Sequence, residues 1–394
     1  MPSPFTKLGP DPRIDRGSSL VLTAPDALAQ GSLLVKCDRT RLTPGQAEDG
    51  DDSVGSEACE MTGQVRDTRL PPGSAADRGR GWYRGDLHVH SARSHGGQLT
   101  PGQLAAAARV NGLDFIGVTE HNTTDTHDAF GRLADDDLLV IPGQEVVTQT
   151  GHWLALGIGP GQVAEWRYGV RHGTIGQHVS QVRQAGGLCV AAHPHAPYPG
   201  GAFMYPFEGF DAVEVWNGLW SSDRPWNADN SAATAEWGRA LVCGADGGKW
   251  LPAVGNSDTH LEGQIAVPHT VVLAEGLTTS AVLAGIRAGT SWIAGSATVS
   301  LSLHVQAGGR SAGIGEHLET HGEAAVVRAV IGGVPSGTAS FHTDRGTVHR
   351  EPLAAQGQRA VEWRTSAEES LFVRIEVRHP GQQMAALTNP VFLS

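Results

Sequence analysis

Cysteine is scarce. The four present, Cys37, Cys59, Cys189 and Cys243, form no CxxC pair, and four thiols are too few to frame 394 residues with disulfides. Cys189 lies in the apolar run LCVAA, where a plain buried side chain is the simplest reading. Long apolar runs are also missing, and no stretch approaches the roughly 20 residues that a membrane span needs. The opening segment, MPSPFTKLGPDPRIDRGSS, lacks the apolar centre of a secretory signal. These absences predict a cytoplasmic protein with no membrane partner. Basic charge is short as well, 29 Lys and Arg against 41 Asp and Glu, for a formal charge of -12. A general nucleic-acid binder needs the opposite balance. A small anionic substrate is not excluded, because bound cations can dominate a local field. Nor is there a convincing serine or cysteine nucleophile. The GxSxG match, GRSAG around Ser311, falls between predicted strands, whereas a nucleophile elbow needs a strand-to-helix turn.

What is present suffices for a core, since hydrophobic residues make up 40 % of the chain. The length favours two or three units. Residues 19–35 suit one or two strands, and residues 47–80, rich in Gly, Asp, Ser and Arg, suit a loop or linker. From Gly81 the pattern changes. Thr100-Pro101 reads as an N-cap with proline at the first helical position, GQLAAAARV as the helix and Asn111-Gly112 as its stop. DFIGVTE, LLVIPGQEVV, LCVAAHP, AVEVWNG and AVGNSD read as strands, with helices over residues 175–185 and 231–241. Strands alternating with helices point to parallel βαβ units, hence an α/β barrel or a doubly wound sheet. After residue 296 the helical pattern stops. VSLSLHVQ, AAVVRAVIGG, TASFHTD, RAVEWRT and LFVRIEVRHP then suggest a β-sandwich. The expected division is an N-terminal segment over 1–80, a barrel over 81–295 and a sandwich over 296–394.

The histidines are placed unevenly. His88 and His90 (DLHVHS), His121 (GVTEHN), His193 and His195 (AAHPH) and His260 (NSDTH) fall at the ends of predicted strands. Asp86, Glu120, Glu145 and Asp258 occupy the same kind of position. In parallel α/β folds active sites assemble at the carboxyl ends of the strands. Imidazole and carboxylate together suit Zn, Mn or Fe. On a strand, residues i and i+2 face one side, so His88 and His90 can point at one ion, with Asp86 on that face as a ligand or an orienting partner. HxH alone would equally fit a surface strand. Four further clusters in order favour metal.

The ordered set DLHVHSARSHG, VTEHN, GQE, AHPH and NSDTH resembles the PHP (polymerase and histidinol phosphatase) superfamily of metallohydrolases, over residues 81–294. VEVWNG, NSDTH and the closing LTNPVFL resemble its CehA/McbA branch, whose namesakes break down carbamate pesticides. The resemblance implies a distorted (β/α)7 barrel with two or three divalent ions, Mn, Fe or Zn, and hydrolysis by a hydroxide bridging them. It assigns one ion to His88, His90, Glu145 and Asp258. Glu145 would bridge to a second held by His193 with His95, and His121 and His260 would serve a third. Glu145, His193 and Asp258 are thereby the implied catalytic residues. Two positions depart from the pattern: His95 stands where many relatives carry Asp, and Glu120 where Asp is usual before His121.

His152, in TGHWLALGI, is either a ligand or substrate contact or a histidine packed in a loop, and His195 is expected to support the ligands from behind. Arg93 is a candidate partner for a phosphate oxygen, with an ordinary exposed arginine as the alternative. Trp216 could wall an apolar substrate or anchor a loop, and Asn217 and Asn122 could donate hydrogen bonds. The leading expectation is a phosphoesterase for a small phosphomonoester or phosphodiester. Its rival is a carbamate or carboxylic ester hydrolase for an aryl substrate. A degenerate barrel acting only as a binding module should have lost ligands, and every principal position keeps one. Oligomerisation is left open.

Overall fold

The computed structural model describes residues 78–159, 161–245, 249–353 and 357–394. The strands expected in residues 19–35 lie outside that range, as does the linker of 47–80 apart from Arg78, Gly79 and Arg80. Among the described residues no helix is long and apolar enough to cross a membrane.

The first half alternates as its sequence pattern suggests, with irregularities. Its elements are β1 (Gly81–Val89), α1 (Pro101–Val110), β2 (Phe115–Val118), α2 (His127–Gly131), β3 (Leu139–Thr148) and β4 (Gly151–Leu156). Then follow α3 (Ile175–Gln184), β5 (Leu188–Ala191), β6 (Ala212–Asn217), α4 (Asn230–Gly244), β7 (Ala253–Asn256), β8 (His269–Ala274), α5 (Thr279–Ala288) and β9 (Ser291–Ala294). Helix α1 starts where expected: the Thr100 hydroxyl accepts from Gln103 N at 3.3 Å, and the Gln103 side chain accepts from Thr100 N at 2.9 Å. This reciprocal box satisfies donors that a helix start leaves free. Leu104, Ala105 and Ala108 then bury one face against Ile116 and Val118 of β2. Each large side chain so buried stabilises the fold by roughly 1.5–3 kcal/mol.

Strands β1, β2 and β3 are parallel, and so are β5, β6 and β7. Between the two sets β4 runs antiparallel to both β3 and β5. The sheet curls until its β7 end comes back to β1, which also pairs antiparallel with β8: His90 N donates to Thr259 O at 3.0 Å and Thr259 N to His88 O at 3.3 Å. A regular (β/α)7 arrangement is therefore only partly realised. The chain passes from β3 to β4 by a tight hairpin and from β5 to β6 by a loop, without a helix in either place. The curl brings the carboxyl ends of β1, β3, β5 and β7 around one point.

After β9 the described chain is all strand: β10 (Ser300–Ala307), β11 (Arg310–Gly313), β12 (His317–Leu318), β13 (Ala325–Gly332) and β14 (Gly337–Thr343). They are followed by β15 (Gly346–Leu353), β16 (Arg359–Thr365), β17 (Phe372–Arg378), β18 (Met384–Thr388) and β19 (Val391–Leu393). β11, β10, β13 and β16 make a separate four-stranded sheet, and β18 pairs with β9, so the curled sheet continues through β17 to β14 and β15. Both layers share one apolar core that includes Leu303, Val327, Phe341 and Ile375. The GRSAG segment is the end of the turn and strand β11 of the β10–β11 hairpin, with no strand-to-helix turn for a nucleophile elbow. Asn389, in LTNPVFL, ties this end to the rest: its Oδ1 accepts from Ala253 N at 2.8 Å and its Nδ2 donates to Ser291 O at 3.0 Å.

Candidate metal centre

Glu145, on β3, is the hub of the site. Its Oε2 lies 3.1 Å from His121 Nε2, 3.4 Å from His90 Nε2 and 3.5 Å from His88 Nε2. Its Oε1 lies 2.9 Å from His152 Nδ1 and 3.1 Å from His193 Nε2. Asp258, after β7, completes the arrangement with Oδ1 3.0 Å from His90 Nε2, 3.3 Å from His88 Nε2 and 3.5 Å from His260 Nδ1. Three overlapping sets of donor atoms are close enough to share a cation each: His88, His90 and Asp258; His88, Glu145 and His193; and His90, His121 and His260. His88, His90, His121, His193, Asp258 and His260 stand at or just beyond strand ends, while Glu145 lies within β3, three residues before its end.

Whether cations fit can be asked of the protein atoms alone. His88 Nε2, His90 Nε2 and Asp258 Oδ1 are buried, converge on one point and have no hydrogen-bond partner. Buried polar atoms are normally satisfied, so such a convergence calls for an ion. The tautomer agrees. His88 Nδ1 lies 3.2 Å from Glu214 Oε1, and donating its proton there leaves the Nε2 lone pair facing the cluster. Burial pushes the His90 imidazole down to about 3, which keeps it neutral as a ligand must be. Burial alone would raise the Glu145 carboxyl, but His88, His152 and His121 outweigh it and hold it well below the usual range. For His88, burial works downward and Asp258, Glu214 and Glu145 overcome it, raising the imidazole well above its usual value; the surrounding carboxylates thus hold a proton on the ring that a bound cation would displace. A mixed set of imidazole nitrogens and carboxylate oxygens suits Zn, Mn or Fe.

The backbone is bent to place these groups. His193 has φ 25°, Asp258 φ 50° and Asn122 φ 53°, in or beside the left-handed region that non-glycine residues rarely occupy. Such conformations persist where surrounding bonds over-determine them. His193 N donates to Glu214 Oε2 at 3.0 Å, and the Asn122 side chain brackets Val147 through bonds of 2.8 and 3.0 Å. Gly97 lets the loop after β1 fold on itself, since a Cβ there would lie 2.0 Å from Ser91 O.

Other expectations are redirected. Asp86 is fully buried but does not face the imidazoles, because a bulge between Asp86 and Val89 puts it out of phase. Its carboxylate accepts from Ser257 N at 3.1 Å, Ala266 N at 3.0 Å and His88 N at 3.3 Å, bracing the Asp258 loop against β1. Burial raises it to about 6, against those hydrogen bonds. Glu120 takes the hydroxyls of Ser91 and Ser94 at 2.5 Å and of Thr126 at 3.1 Å, so it shapes the loop rather than joining a donor set. His95 is exposed on the cavity rim and belongs to none of the three sets; His152 stands beside Glu145 instead. His195 pairs with Glu236 at 2.8 Å, away from the ligands.

Arg93 is exposed and pairs with Asp125 at 2.5 Å rather than lining the cavity. Trp216 is core: its ring meets Trp220 edge-on at 5.4 Å and its Nε1 donates to Gly218 O at 3.0 Å. A bulge between Glu214 and Trp216 turns the indole away from the face that Glu214 occupies. Asn217 does line the cavity, donating to Glu214 Oε2 at 3.0 Å and Asp258 Oδ2 at 3.3 Å.

Sequence reasoning misses Glu214. It is buried, and it collects His88 Nδ1, His193 N, Asn217 Nδ2 and Asn256 Nδ2, the last at 2.9 Å. A carboxylate inside the otherwise apolar run AVEVW is the available signal. Also unmarked are Tyr198, Arg224 and Leu219; Trp226, which the loop's sequence suggests as a buried anchor rather than a substrate wall, is instead exposed on the cavity. With the ligands they line a cavity of about 920 Å³ over the cluster.

No protein-family model and no curated protein matches the chain. Solved structures do. A two-domain protein containing a predicted PHP-like metal-dependent phosphoesterase from Bacteroides vulgatus aligns over 82 % of this chain and 98 % of its own, at 15 % identity and TM-score 0.43. A candidate metal-dependent phosphoesterase from Bifidobacterium adolescentis aligns over 51 % of this chain and 94 % of its own, at 19 % identity and TM-score 0.33. An amidohydrolase from Chromobacterium violaceum with bound sulfate aligns over 47 % of this chain and 90 % of its own, at 18 % identity and TM-score 0.33. At these values the similarity is distant, and the reading of the site rests on its own geometry.

Proposed function

We propose that the chain is a metal-dependent hydrolase of the PHP type that cleaves a small phosphomonoester or phosphodiester. The observation that carries this is the convergence of unpartnered His88 Nε2, His90 Nε2 and Asp258 Oδ1 beside Glu145, at the floor of an open cavity. The first ion would be held by His88, His90 and Asp258, the second by His88 or Glu145 with His193, and a third by His90, His121 and His260. Divalent ions so held polarise an ester and lower the pKa of a bound water. The protein's own share is to aim the imidazoles and, at His90, to keep the ring neutral. Glu214 fixes the His88 tautomer, Asp86 holds the Asp258 loop, and Asn217 orients the Asp258 carboxylate. The CehA/McbA-like assignment draws support from VEVWNG, which supplies Glu214 and Asn217, and from LTNPVFL, whose Asn389 fastens β7.

A second reading, a carbamate or carboxylic ester hydrolase for aryl substrates, is favoured by apolar Leu219 and Trp226 on the cavity rim. The two are separated by assaying chain loaded with Mn, Fe or Zn on a p-nitrophenyl phosphate series and on 1-naphthyl methylcarbamate. Phosphate release supports the phosphoesterase; carbamate cleavage without it moves the assignment to the second reading. Metal-loaded chain that cleaves neither class contradicts both.

A further inference from the structure

The loop between β6 and α4 presents three side chains to the cavity that the ligand cluster does not use. Leu219 is 46 % exposed and Trp226 59 % exposed, while Arg224 lies between them in sequence. Large apolar side chains left in water beside a metal cluster mark a surface meant to be covered. Among the described residues, no carboxylate forms an ion pair with Arg224. Glu262, the other charged rim residue outside the cluster apart from histidines, is not paired with it either.

The loop is not simply loose. Asn230 Nδ2 donates to Asn217 O at 3.2 Å, Leu219 O at 3.0 Å and Trp220 O at 3.1 Å, while Asn217 N donates to Asn230 Oδ1 at 2.8 Å. Trp220 is buried, with the Arg378 guanidinium 4.9 Å from its ring centroid. Nearer the tip, Ser222 Oγ pairs with Asn227 Oδ1 at 3.0 Å, Asn227 N donates to Arg224 O at 3.0 Å and Asp229 N to His195 O at 3.1 Å. A backbone pinned at both ends cannot readily fold Leu219 and Trp226 back into the core. Its apolar and cationic groups are held ready for a ligand.

We infer that Leu219, Arg224 and Trp226 form a leaving-group subsite for a ring-sized apolar group that carries a carboxylate. This rests on the hydrolase reading above and specifies its substrate class: an aryl ester with an anionic substituent, seated with its ester over the cluster. A cavity of about 920 Å³ is far larger than a bare phosphate or methyl ester needs, and it sits at the upper end of small-molecule sites, roughly 300–1,000 Å³. Indole and isobutyl groups cover the ring, and the guanidinium pairs with the carboxylate in its planar fork.

The test compares kcat/KM for methyl phosphate, phenyl phosphate and 4-carboxyphenyl phosphate in metal-loaded wild type, Arg224→Met and Trp226→Ala. Independently, isothermal titration measures binding of 4-hydroxybenzoate to the same full-length proteins. Thermal melts check that these surface changes leave the fold intact. The expected result is a preference of about tenfold or more for phenyl over methyl, and about tenfold again for the carboxylated ring. Trp226→Ala should collapse the first ratio and Arg224→Met the second. Hydrolysis of all three esters at similar efficiency would overturn the subsite while leaving the hydrolase standing. If no phosphate ester is cleaved, the titration decides. 4-Hydroxybenzoate binding that Arg224→Met weakens about tenfold or more supports the subsite, and absence of binding overturns it.

Discussion

His88 donates through Nδ1 to Glu214, 3.2 Å away, and thereby turns its Nε2 toward Asp258 Oδ1 at 3.3 Å. One buried carboxylate on β6 thus decides what a histidine on β1 can do. The same carboxylate holds His193 N, so it orients a residue in each of two donor sets.

Replacing Glu214 with Gln keeps the shape but removes the charge that fixes the tautomer. Metal affinity should fall by roughly 10–100-fold, as it does when partners behind metal ligands are lost. Metal retained after graded chelator dialysis, read by elemental mass spectrometry, checks this. Retention equal to wild type, in a protein that melts normally, would show that Glu214 does not orient the ligands.

Asn389 is buried and its side chain makes four hydrogen bonds, to Ala253 N, Ala253 O, Ser291 O and Ser291 Oγ. Asn389→Ala removes the side-chain partner of Ala253 N and O on β7, at about 1–3 kcal/mol for each group that water cannot reach, and leaves Ser291 O on β9 only the backbone N–H of residue 389. A fall of several degrees in Tm is expected. An unchanged Tm would mean that the closing segment does not stabilise β7 and β9.

A buried cluster on the C-terminal strands makes stability depend on acid. Burial pushes His342 down to about 4, with Arg374 acting the same way. Glu376 is driven upward by burial, yet Arg374, His342 and Arg378 outweigh this and bring it to about 2. Both folded values lie below the ordinary ones, so both contributions are present at neutral pH and lost on acidification. For His342 the loss runs from about pH 6.5 toward 4, and for Glu376 from about 4.5 toward 2. Unfolding free energy against pH should fall less steeply between pH 6.5 and 4 in His342→Gln than in wild type. Parallel curves across that window would show that His342 is not buried in its neutral form.

Much of this site is legible in the sequence. His88, His90, His121, His193, Asp258 and His260 stand at strand ends in short motifs, and strand ends converge once a sheet curls. The misreadings have local causes. Strict two-residue alternation misplaces Asp86, because a bulge follows it; for Trp216 the sequence left wall and anchor open, and the structure makes it core. Bulges leave no signature in these stretches. Glu214 escapes notice because its motif reads simply as a strand. The exchange of His95 for His152 depends on a hairpin whose second strand, GHWLAL, is buried throughout and carries no alternation to announce it. β15 is hidden for the opposite reason: GTVHREPL is largely exposed and reads as polar turn. Arg93 finds Asp125, 32 residues on, a pairing no local pattern encodes.

The most direct test is the metal content of the purified chain after loading with Mn, Fe or Zn, measured beside Glu145→Ala. Glu145 touches His88, His90, His121, His152 and His193, so its removal should dismantle the shared centre while the apolar cores remain. Wild type should carry two or three ions per chain. The variant should show a clear loss of metal, together with loss of ester hydrolysis and a retained cooperative melt. Equal metal content in the two proteins, or turnover undiminished by the substitution, would contradict a metal centre built on Glu145.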